Sequence, residues 1–317
     1  MNNQLPNPAE RCQQPTFYFI GVTTGQSAAQ RIFPRWMALL NRPEVLLRGV
    51  DFRLHDEPAR YRQLVAAIKA DPLALGGLIT THKLDLLAAA RDLFDQLDPY
   101  ARLCDEVSSI SKRGDALIGH AVDPVADGRA LDAILEEGYF GRTGGELLLL
   151  GAGGAAAALV LHILNKQAPA DRPQHCTLVD LDAHRLAHVR EMVEKAPTDI
   201  QFHYVQNSTA QQNDALLATL PPASVVINAT GMGKDRPGSP ITDAAEFPLL
   251  GIAWELNYRG ALDFMHQAMR QQAERNLTVA DGWVAFLHGW TGVIAHVLNV
   301  EITPALFEQM AEVAAQY

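Results

Sequence analysis

Four consecutive leucines, Leu147 to Leu150, lead directly into Gly151-Ala152-Gly153-Gly154 and then into an alanine-rich stretch from Ala155 to Leu161. This order predicts a strand, a tight turn and the start of a helix. A strand that is apolar throughout fits a parallel sheet covered on both faces, and the glycines let the backbone approach a diphosphate. The N–H groups and the dipole at the helix start would bind that anion without a cationic side chain.

An acidic residue supports a nucleotide site at this turn. The segment Cys176 to Asp180 predicts the next strand, and it ends on a carboxylate 29 positions after Gly151. A carboxylate there accepts hydrogen bonds from the hydroxyls of an adenosine ribose and repels a 2′-phosphate. Because no Arg or Lys lies within four residues after Asp180, the sequence favours NAD over NADP. The alternative is that Asp180 or Asp182 only N-caps a helix predicted from Ala183 to Glu194.

Composition argues against several classes of protein. The 317 residues carry 26 Lys plus Arg against 36 Asp plus Glu, without a dense basic run, which argues against DNA binding. The three cysteines are widely spaced, which fits a reducing cytoplasm rather than a disulfide framework. The polar stretch Met1 to Gln14 predicts no secretory signal, and the longest apolar run, Leu147 to Leu161, is too short for a membrane span. We therefore expect a cytoplasmic protein with no nucleic-acid or membrane partner.

Strand-like and helix-like segments alternate along the chain. This alternation predicts an α/β architecture with mostly parallel sheets. About 145 residues precede the glycine turn, enough for a separate domain. Strands are predicted near residues 16–22, 46–54, 75–80, 147–150, 176–180, 201–205, 224–228 and 251–256, and helices near 34–41, 57–70, 84–94, 126–137, 155–161, 183–194, 283–298 and 304–317.

Six short segments, in the same order along the chain, resemble motifs of the shikimate/quinate dehydrogenase family. The first falls where that family has Gly-x-Pro-Ile-x-His-Ser-x-Ser, the second resembles Asn-Val-Thr-Ile-Pro-x-Lys, and the third resembles Asn-Thr-Asp. The other three match the cofactor turn, an Asn-Ala-Thr segment and a late Asp-Gly pair. In order, the segments are Gly21 to Ser27, Gly77 to Lys83, Ala121 to Asp123, Gly151 to Ala155, Asn228 to Thr230, and Asp281-Gly282.

The resemblance implies two domains with an active site in the cleft between them. A substrate-binding α/β domain would cover residues 1–124, completed by the last helices within 280–317, and a Rossmann-type doubly wound parallel sheet would cover 125–279. The implied reaction is reversible hydride transfer between a nicotinamide and a secondary alcohol of a small hydroxylated cyclic acid, as in aromatic amino acid biosynthesis. Together with Asp180, the implied cofactor-binding residues are Gly151, Ala152, Gly153, Gly154, Ala155, Asn228, Ala229, Thr230 and Gly231.

Lys83 and Asp123 carry the implied chemistry. In the resembled family, the lysine and the aspartate at these motif positions lie against the reacting hydroxyl. A lysine in a partly dry cleft can take or relay the proton that an alcohol loses on oxidation, and a neighbouring carboxylate orients the lysine and offsets its charge. Taken singly, Lys83 could be a solvated residue at a helix start, and Asp123 could N-cap a helix that begins near Ala126. The two motif matches together favour catalysis.

The substrate side departs from the family pattern. Four positions that carry hydrogen-bonding residues in the family are Ala29, Gly77, Ala121 and Gly289 here. Losing four such groups, at about 0.5–1.5 kcal/mol each, lowers affinity by roughly two decades or more. Shikimate itself is therefore not the expected substrate. The remaining polar candidates are Ser27, Thr80, Thr81 and Tyr258, and Trp283 and Trp290 are predicted to form apolar walls.

Two other functions stay open on the sequence alone. One is a ligand- or cofactor-sensing regulator on the same fold, although retention of both Lys83 and Asp123 argues against it. The other is an enzyme similar to the folate methylene dehydrogenases, by analogy of architecture only. His184 and His188 lie four residues apart on a predicted helix, but no third ligand accompanies them, so no metal is expected. The expected partner is a small-molecule substrate, and a homodimer is one alternative for the assembly.

Overall fold

The computed structural model describes residues 11–234 and 236–317. The chain divides into two compact units. The first unit ends at Val122 and resumes from Gly289 to Tyr317, and the second runs from Asp123 to His288. The sequence-based limits of 124 and 280 differ from these by a few residues, so that residues 280–288 lie with the second unit. Most of the polar stretch Met1 to Gln14 lies outside the described residues.

Strands and helices alternate in both units. The strands are β1 Thr16–Gly21, β2 Leu46–Asp51, β3 Ala74–Ile79, β4 Gln96–Leu97, β5 Ser109–Arg113, β6 Ala116–His120, β7 Leu147–Leu150, β8 His175–Asp180, β9 Gln201–Gln206, β10 Val225–Asn228, β11 Ile252–Glu255 and β12 Thr278–Ala280. The helices are α1 Ala29–Leu39, α2 Pro58–Ala70, α3 Lys83–Ala90, α4 Pro99–Cys104, α5 Asp123–Ile134, α6 Tyr139–Thr143, α7 Gly154–Leu164, α8 Ala183–Glu194, α9 Ala210–Leu217, α10 Asp263–Arg275, α11 Trp283–Leu298 and α12 Pro304–Ala314.

The first unit is built on a six-stranded mixed sheet in the order β2-β1-β3-β5-β6-β4. Strands β1, β2 and β3 pair in parallel, whereas β5 runs antiparallel to both β3 and β6. The carboxyl ends of β1, β3 and β6 therefore meet at one edge of the sheet. Apolar side chains from the strands and from α2 and α3 form a core beneath this edge; it includes Tyr18, Ile20, Phe52, Leu64 and Leu86.

The second unit is built on a six-stranded sheet in the order β9-β8-β7-β10-β11-β12, and every pair in it is parallel. This is the 3-2-1-4-5-6 order of a doubly wound dinucleotide-binding sheet. The four leucines of β7 are at most 1% exposed, as a strand covered on both faces requires. The α/β fold class predicted from the alternation of elements is therefore confirmed.

Several helix starts follow from local sequence. Proline is the first residue of α2, α4 and α12, where its missing N–H has no intrahelical partner to lose. The Asp98 side chain caps α4 by accepting from the N of Ala101 at 2.6 Å. The Thr303 side chain caps α12 in the same way, by accepting from the N of Leu306 at 3.3 Å.

Two elements differ from the sequence-based expectation. Helix α1 begins at Ala29 rather than Pro34 and contains that proline. Its apolar face, which includes Ile32 and Trp36, is 0% exposed, and this burial outweighs the backbone hydrogen bond that proline removes. The hairpin of β5 and β6 was not predicted, because its strands mix apolar with polar residues. Across residues 11–234 and 236–317, no helix combines the length and apolar character that a membrane crossing requires.

Candidate functional site

The glycine turn after β7 and the acid that ends β8 are in direct contact. The Oδ2 atom of Asp180 accepts a hydrogen bond from the backbone N of Ala152 at 2.8 Å. Asp182, not Asp180, N-caps α8, since its side chain accepts from the N of His184 at 2.8 Å. The helix-cap alternative therefore describes Asp182, and the carboxylate of Asp180 lies at the turn.

Two glycines of this turn meet different requirements. Gly151 has a φ of +106°, and a Cβ there would lie 2.7 Å from the carbonyl oxygen of Ala229, so the backbone itself requires glycine. Gly153 has a φ of −80°, and a Cβ there would meet no atom of the described residues within 4 Å. The fold does not need a glycine at 153. The missing side chain leaves open space beside the N-terminus of α7, where anions are favoured.

The turn lies where the strand order reverses, with β8 on one side of β7 and β10 on the other. The N of Ala229 donates to the O of Leu150 at 2.7 Å, so the loop after β10 runs beside the glycine turn. In open α/β sheets, ligands bind in the crevice outside the carboxyl ends of the strands at such a point. The segments 151–155 and 228–231 thus share one edge of the sheet with Asp180.

Asn228 is 0% exposed, and both ends of its side-chain amide are engaged within the unit. Its Oδ1 accepts from the N and Oγ1 of Thr230, at 3.1 and 2.6 Å. Its Nδ2 donates to Oε2 of Glu255 at 2.7 Å and to the O of Met232 at 3.3 Å. The side chain of Asn228 therefore shapes the loop after β10 from inside.

In the first unit, the segments that follow β1 and β3 lie side by side. The N of Thr80 donates to the O of Ile20 at 2.9 Å. The N and Oγ1 of Thr24 both donate to Oδ1 of Asp51, at 2.8 and 2.6 Å, which ties the segment after β1 to the end of β2. Ser27 is 5% exposed, and its Oγ accepts from the backbone N of residue 29 at 3.2 Å. Ser27 and Thr80 are thus held at one edge of the sheet.

The two residues before Lys83 have unusual environments. Thr81 has a φ of +67°, in the left-handed region that β-branched residues rarely adopt, and the proline of the family motif could not take this φ. His82 is 1% exposed, with its Nδ1 atom 3.0 Å from the hydroxyl of Tyr61. Burial lowers the pKa of His82, so the ring is neutral near pH 7. Backbone strain of this kind persists where the surroundings impose it, commonly at functional sites.

Lys83 is the first residue of α3, and Asp123 is the first residue of α5. Lys83 is half-buried, and its carbonyl oxygen accepts from the N of Val107 at 3.3 Å. The N of Val122 donates to Oγ of Ser108 at 2.7 Å, so the backbone leading into Asp123 is tied beside the start of α3. Helix α5 begins three residues before the predicted start near Ala126, so Asp123 lies within it. Lys83 belongs to the first unit and Asp123 to the second.

The four positions that depart from the family pattern lie in different surroundings. A Cβ at Gly77 would lie 2.1 Å from the carbonyl oxygen of Tyr18, so this packing admits no side chain. Ala29 and Ala121 are 0% and 2% exposed. At Gly289, by contrast, a Cβ would meet nothing within 4 Å among the described residues. Three of these positions are therefore closed, and one is open.

The two tryptophans predicted as apolar walls differ in placement. Trp290 is 3% exposed and packs against Phe17, Phe19 and Phe33, with ring centroids 4.9 to 6.2 Å apart. It is a core residue of the first unit, so its prediction as a wall is wrong. Trp283 is half-buried in the second unit and lies with Tyr258 and Phe286, the nearest ring centroids being 4.4 Å apart.

Sequence analysis missed two acids at these edges. Asp51 ends β2 and anchors Thr24, and Glu255 ends β11 and binds Asn228. Each closes a mostly apolar strand, the same signal that identified Asp180. Among residues 11–234 and 236–317, no three His, Cys, Asp or Glu side chains are grouped to hold an ion.

The second unit has the features of a dinucleotide-binding Rossmann-type fold: a parallel sheet whose strand order reverses at β7, an open glycine turn and an acid at the end of β8. A second α/β unit belongs to the same chain. No family model matches the chain. It is 25% identical over 233 residues to shikimate dehydrogenase (NADP(+)) of Symbiobacterium thermophilum, which covers 73% of this chain and 72% of that protein. It is 26% identical over 275 residues to the enzyme of the same name from Methylobacterium radiotolerans, covering 86% and 88%.

The fold is similar to that of quinate dehydrogenase from Corynebacterium glutamicum in complex with NAD. The TM-score is 0.69 at 18% identity, over 96% of this chain and 99% of that one. The relatives in sequence and the likeness in fold extend over most of the chain. These similarities support the resemblance to the shikimate/quinate dehydrogenase family that the sequence motifs indicate.

Proposed function

We propose that this protein is an NAD(P)-dependent dehydrogenase of the shikimate/quinate type, acting on the secondary alcohol of a small hydroxylated acid. The observation that carries the proposal is the open space at Gly153, beside the N-terminus of α7 and next to Asp180. Nothing in the comparisons favours the regulator or the folate-type alternative.

The residues of the second unit fit a nicotinamide dinucleotide. The backbone N–H groups of Gly153, Gly154 and Ala155 would hold the diphosphate at the helix start, with Gly151 and Ala152 shaping the turn. Asp180 would accept from the adenosine ribose. The loop Ala229 to Gly231 would lie along the nicotinamide, with Asn228 shaping it from beneath. When bound, the cofactor supplies the acceptor or donor of a hydride.

In this proposal, the chain's own residues move the proton. Lys83 accepts or relays the hydroxyl proton as the alcohol is oxidised, and it donates a proton to the forming alkoxide in the reverse direction. Asp123 orients the Lys83 ammonium and offsets its charge. The hydrogen bond between Val122 and Ser108, one residue from the N–H of Val107 that binds the Lys83 carbonyl, supports this pairing.

The substrate is proposed to differ from shikimate. Ser27, Thr80, Thr81 and Tyr258 are the proposed polar contacts. Ala29, Gly77 and Ala121 are closed positions without a hydrogen-bonding side chain where the resembled family has one, so a substrate with fewer ring hydroxyls fits better. Gly289 leaves room for a larger or less polar substituent.

A turnover screen tests the proposed activity. Purified protein is incubated with NAD or NADP and a panel of cyclic hydroxy acids that includes shikimate and quinate, and reduced cofactor is measured by absorbance. We expect turnover of at least one acid, with a KM for shikimate well above about 1 mM. Methylene-tetrahydrofolate serves as the control substrate for the folate-type alternative. Binding of cofactor without turnover of any hydroxy acid would contradict the proposed activity.

The proposed preference for NAD has its own test. The Asp180 carboxylate should repel a 2′-phosphate, so NAD is expected to bind about tenfold or more tightly than NADP by calorimetry. Asp180→Ala should lower the ratio of the NADP dissociation constant to the NAD dissociation constant. Asp182→Ala is the matched control, because this neighbouring acid caps α8 and does not contact the turn. Equal affinities for NAD and NADP in the unmodified protein would overturn the ribose assignment, and Arg185 on α8 would then be the first cation to replace.

A further inference from the structure

Glu255 is the buried acid at the carboxyl end of β11, next to the end of β10, and it is 0% exposed. Its Oε2 accepts from Nδ2 of Asn228 at 2.7 Å. Its Oε1 accepts from the N and the Nδ2 of Asn257, at 2.9 and 2.6 Å. All three bonds come from N–H donors, so the ionised carboxylate, which only accepts, makes them most strongly.

The two asparagines that bind Glu255 also bind the loop after β10. The Nδ2 atoms of Asn228 and Asn257 both donate to the O of Met232, at 3.3 and 3.0 Å. Thr230 closes the loop, since its Oγ1 donates to Oδ1 of Asn228 at 2.6 Å and accepts from the N of Met232 at 3.1 Å. Because a carboxylate only accepts, Glu255 determines which end of the Asn228 amide faces Thr230.

The loop held in this way presents an open face. Gly231, at its centre, has a φ of +74°, and a Cβ there would meet no atom of the described residues within 4 Å. A flat ring could approach the backbone at this position without displacing a side chain. The loop also lies beside the glycine turn, through the bond from the N of Ala229 to the O of Leu150 at 2.7 Å.

The burial of Glu255 is costly for the fold. Desolvation raises the pKa of this carboxyl to about 7, with Asp263 at the start of α10 adding to the rise, while the N–H groups of Asn228 and Asn257 oppose it. A buried acid that is balanced by neutral donors alone contributes little to stability. The geometry that Glu255 imposes on the two asparagines offers a better explanation for a carboxylate at this buried position.

We propose that Glu255 is a positioning residue of the cofactor site: through Asn228 and Asn257, it holds Thr230 to Met232 in the conformation that receives the nicotinamide. Glu255 has no exposed surface and acts only through the asparagines. The ligand assigned to the loop rests on the proposed function, whereas the ordering of the loop by Glu255 does not.

The test compares Glu255→Gln with a buried control just before the neighbouring strand β10. The glutamine amide turns an N–H₂ group toward the asparagine donors and cannot accept all three bonds. Backbone amides of residues 229–233 should then exchange with deuterium at least about tenfold faster in the cofactor-free protein. The dissociation constant for NAD should rise about tenfold or more, while the KM for the alcohol substrate changes little.

Ser224→Ala is the control. Ser224 is 0% exposed and lies just before β10, at the opposite end from the loop, where its Oγ accepts from the N of Glu146 at 2.9 Å. This variant should lose comparable stability and leave both loop exchange and NAD affinity unchanged. Asn257→Ala removes the Nδ2 bonds to Glu255 and to the O of Met232 and keeps the backbone N bond to Glu255. This second variant should also speed loop exchange if Glu255→Gln folds poorly.

The outcomes separate the inference from the proposed function. Loop exchange in Glu255→Gln and Asn257→Ala that equals that of Ser224→Ala overturns the inference, whatever the activity. A matching rise in NAD dissociation constant for the Ser224→Ala control also overturns it, because the effect would then be general loss of stability. Failure of the unmodified protein to bind NAD or NADP overturns the proposed function, and with it the ligand assigned to the loop.

Discussion

At the scale of single residues, Gly151 and Gly153 show why two glycines of one motif are not equivalent. Gly151 is required by its own backbone angle and by the close carbonyl oxygen of Ala229. Gly153 has an ordinary φ and no close neighbour, so the fold does not account for its missing side chain, and the proposed anion site would. The distinction separates glycines that the fold needs from glycines that binding needs.

Gly153→Ala is therefore expected to leave the protein folded and to weaken the cofactor. The free energy of unfolding should stay within about 1 kcal/mol of the unmodified value, because the alanine fits the backbone. The affinity for NAD should fall at least about tenfold, because the methyl group occupies the approach to the diphosphate. Gly151→Ala is the contrast and should destabilise the protein. Chemical denaturation and NAD fluorescence titration check the pair, and unchanged NAD affinity in Gly153→Ala would contradict the assigned anion site.

Lys83 and Asp123, the proposed catalytic pair, give a second prediction at the scale of single residues. Lys83→Ala and Asp123→Asn should each lower kcat by roughly a hundredfold or more, the usual yield of positioned acid–base catalysis. The double variant should lose little more than either single one, because a carboxylate that serves the lysine has no further role without it. Cofactor affinity should hardly change.

Steady-state kinetics on any active substrate measures these losses. Lys69→Ala is the matched control, since Lys69 pairs with Asp95 at 2.8 Å on α2 and has no proposed catalytic role. Near-normal turnover in Lys83→Ala would remove this residue from the mechanism. Multiplicative losses in the double variant would show that Lys83 and Asp123 act independently.

At the scale of elements, helices α5 and α7 pack closely because one residue lacks a side chain. A Cβ at Gly128 of α5 would lie 2.2 Å from the ring of His162 on α7. The same ring is held in place by Asp132, whose Oδ1 lies 2.8 Å from Nε2 of His162. Lys166 binds that oxygen as well, at 2.6 Å, so the ring has little freedom to move aside.

Gly128→Ala should destabilise the second unit by about 1–3 kcal/mol, although the same change in an open helix position stabilises. Gly289→Ala on α11 is that open position, and it should raise the free energy of unfolding by up to about 1 kcal/mol. Urea denaturation measures whether each substitution raises or lowers the free energy of unfolding. A stabilising Gly128→Ala would show that α5 and α7 separate more easily than the packing implies, and replacing His162 with alanine should rescue the destabilised variant.

At the scale of the whole molecule, we expect stability in acid to depend on a half-buried histidine pair in the first unit. The rings of His120 and His296 stack with centroids 4.2 Å apart, linking β6 to α11. Burial lowers the pKa of His296 to about 4, and the charges of His120 and Arg113 add to the effect. The folded protein therefore keeps His296 neutral at pH values where the unfolded chain, with a histidine pKa of about 6.5, binds a proton.

The free energy of unfolding should consequently fall as the pH drops from about 6.5 to about 4, by up to about 3 kcal/mol from this residue, and level off below that range. His296→Phe keeps the stacked ring without the titrating group. It should remove this contribution to the slope of the free energy of unfolding against pH. His184→Gln, at an exposed position on α8, should leave it unchanged. Denaturation at a series of pH values measures the slopes, and an unaltered slope in His296→Phe would contradict the assignment.

Local sequence was sufficient to predict an element wherever a short run of residues determines the structure without distant contacts. The continuous leucines of β7 could only be a strand buried on both faces, and the glycines and Asp180 after it needed only the regular strand-turn-helix geometry to meet. Helices α8 and α11 have the predicted bounds, because their caps or apolar periodicity are local. The motifs around Lys83 and Asp123 could likewise be read without contacts, since they are contiguous.

Tertiary structure decided what depends on neighbours far along the chain. Burial of one face of α1 retained Pro34 within a helix, and packing against β1 and α1 placed Trp290 in the core rather than beside a ligand. The backbone of Tyr18 explains the glycine at 77, and the Glu255 network joins residues about 30 positions apart. Hydrogen bonds and close packing between distant segments are determined only by the fold, because the local sequence does not indicate which distant residue each side chain or backbone group will contact.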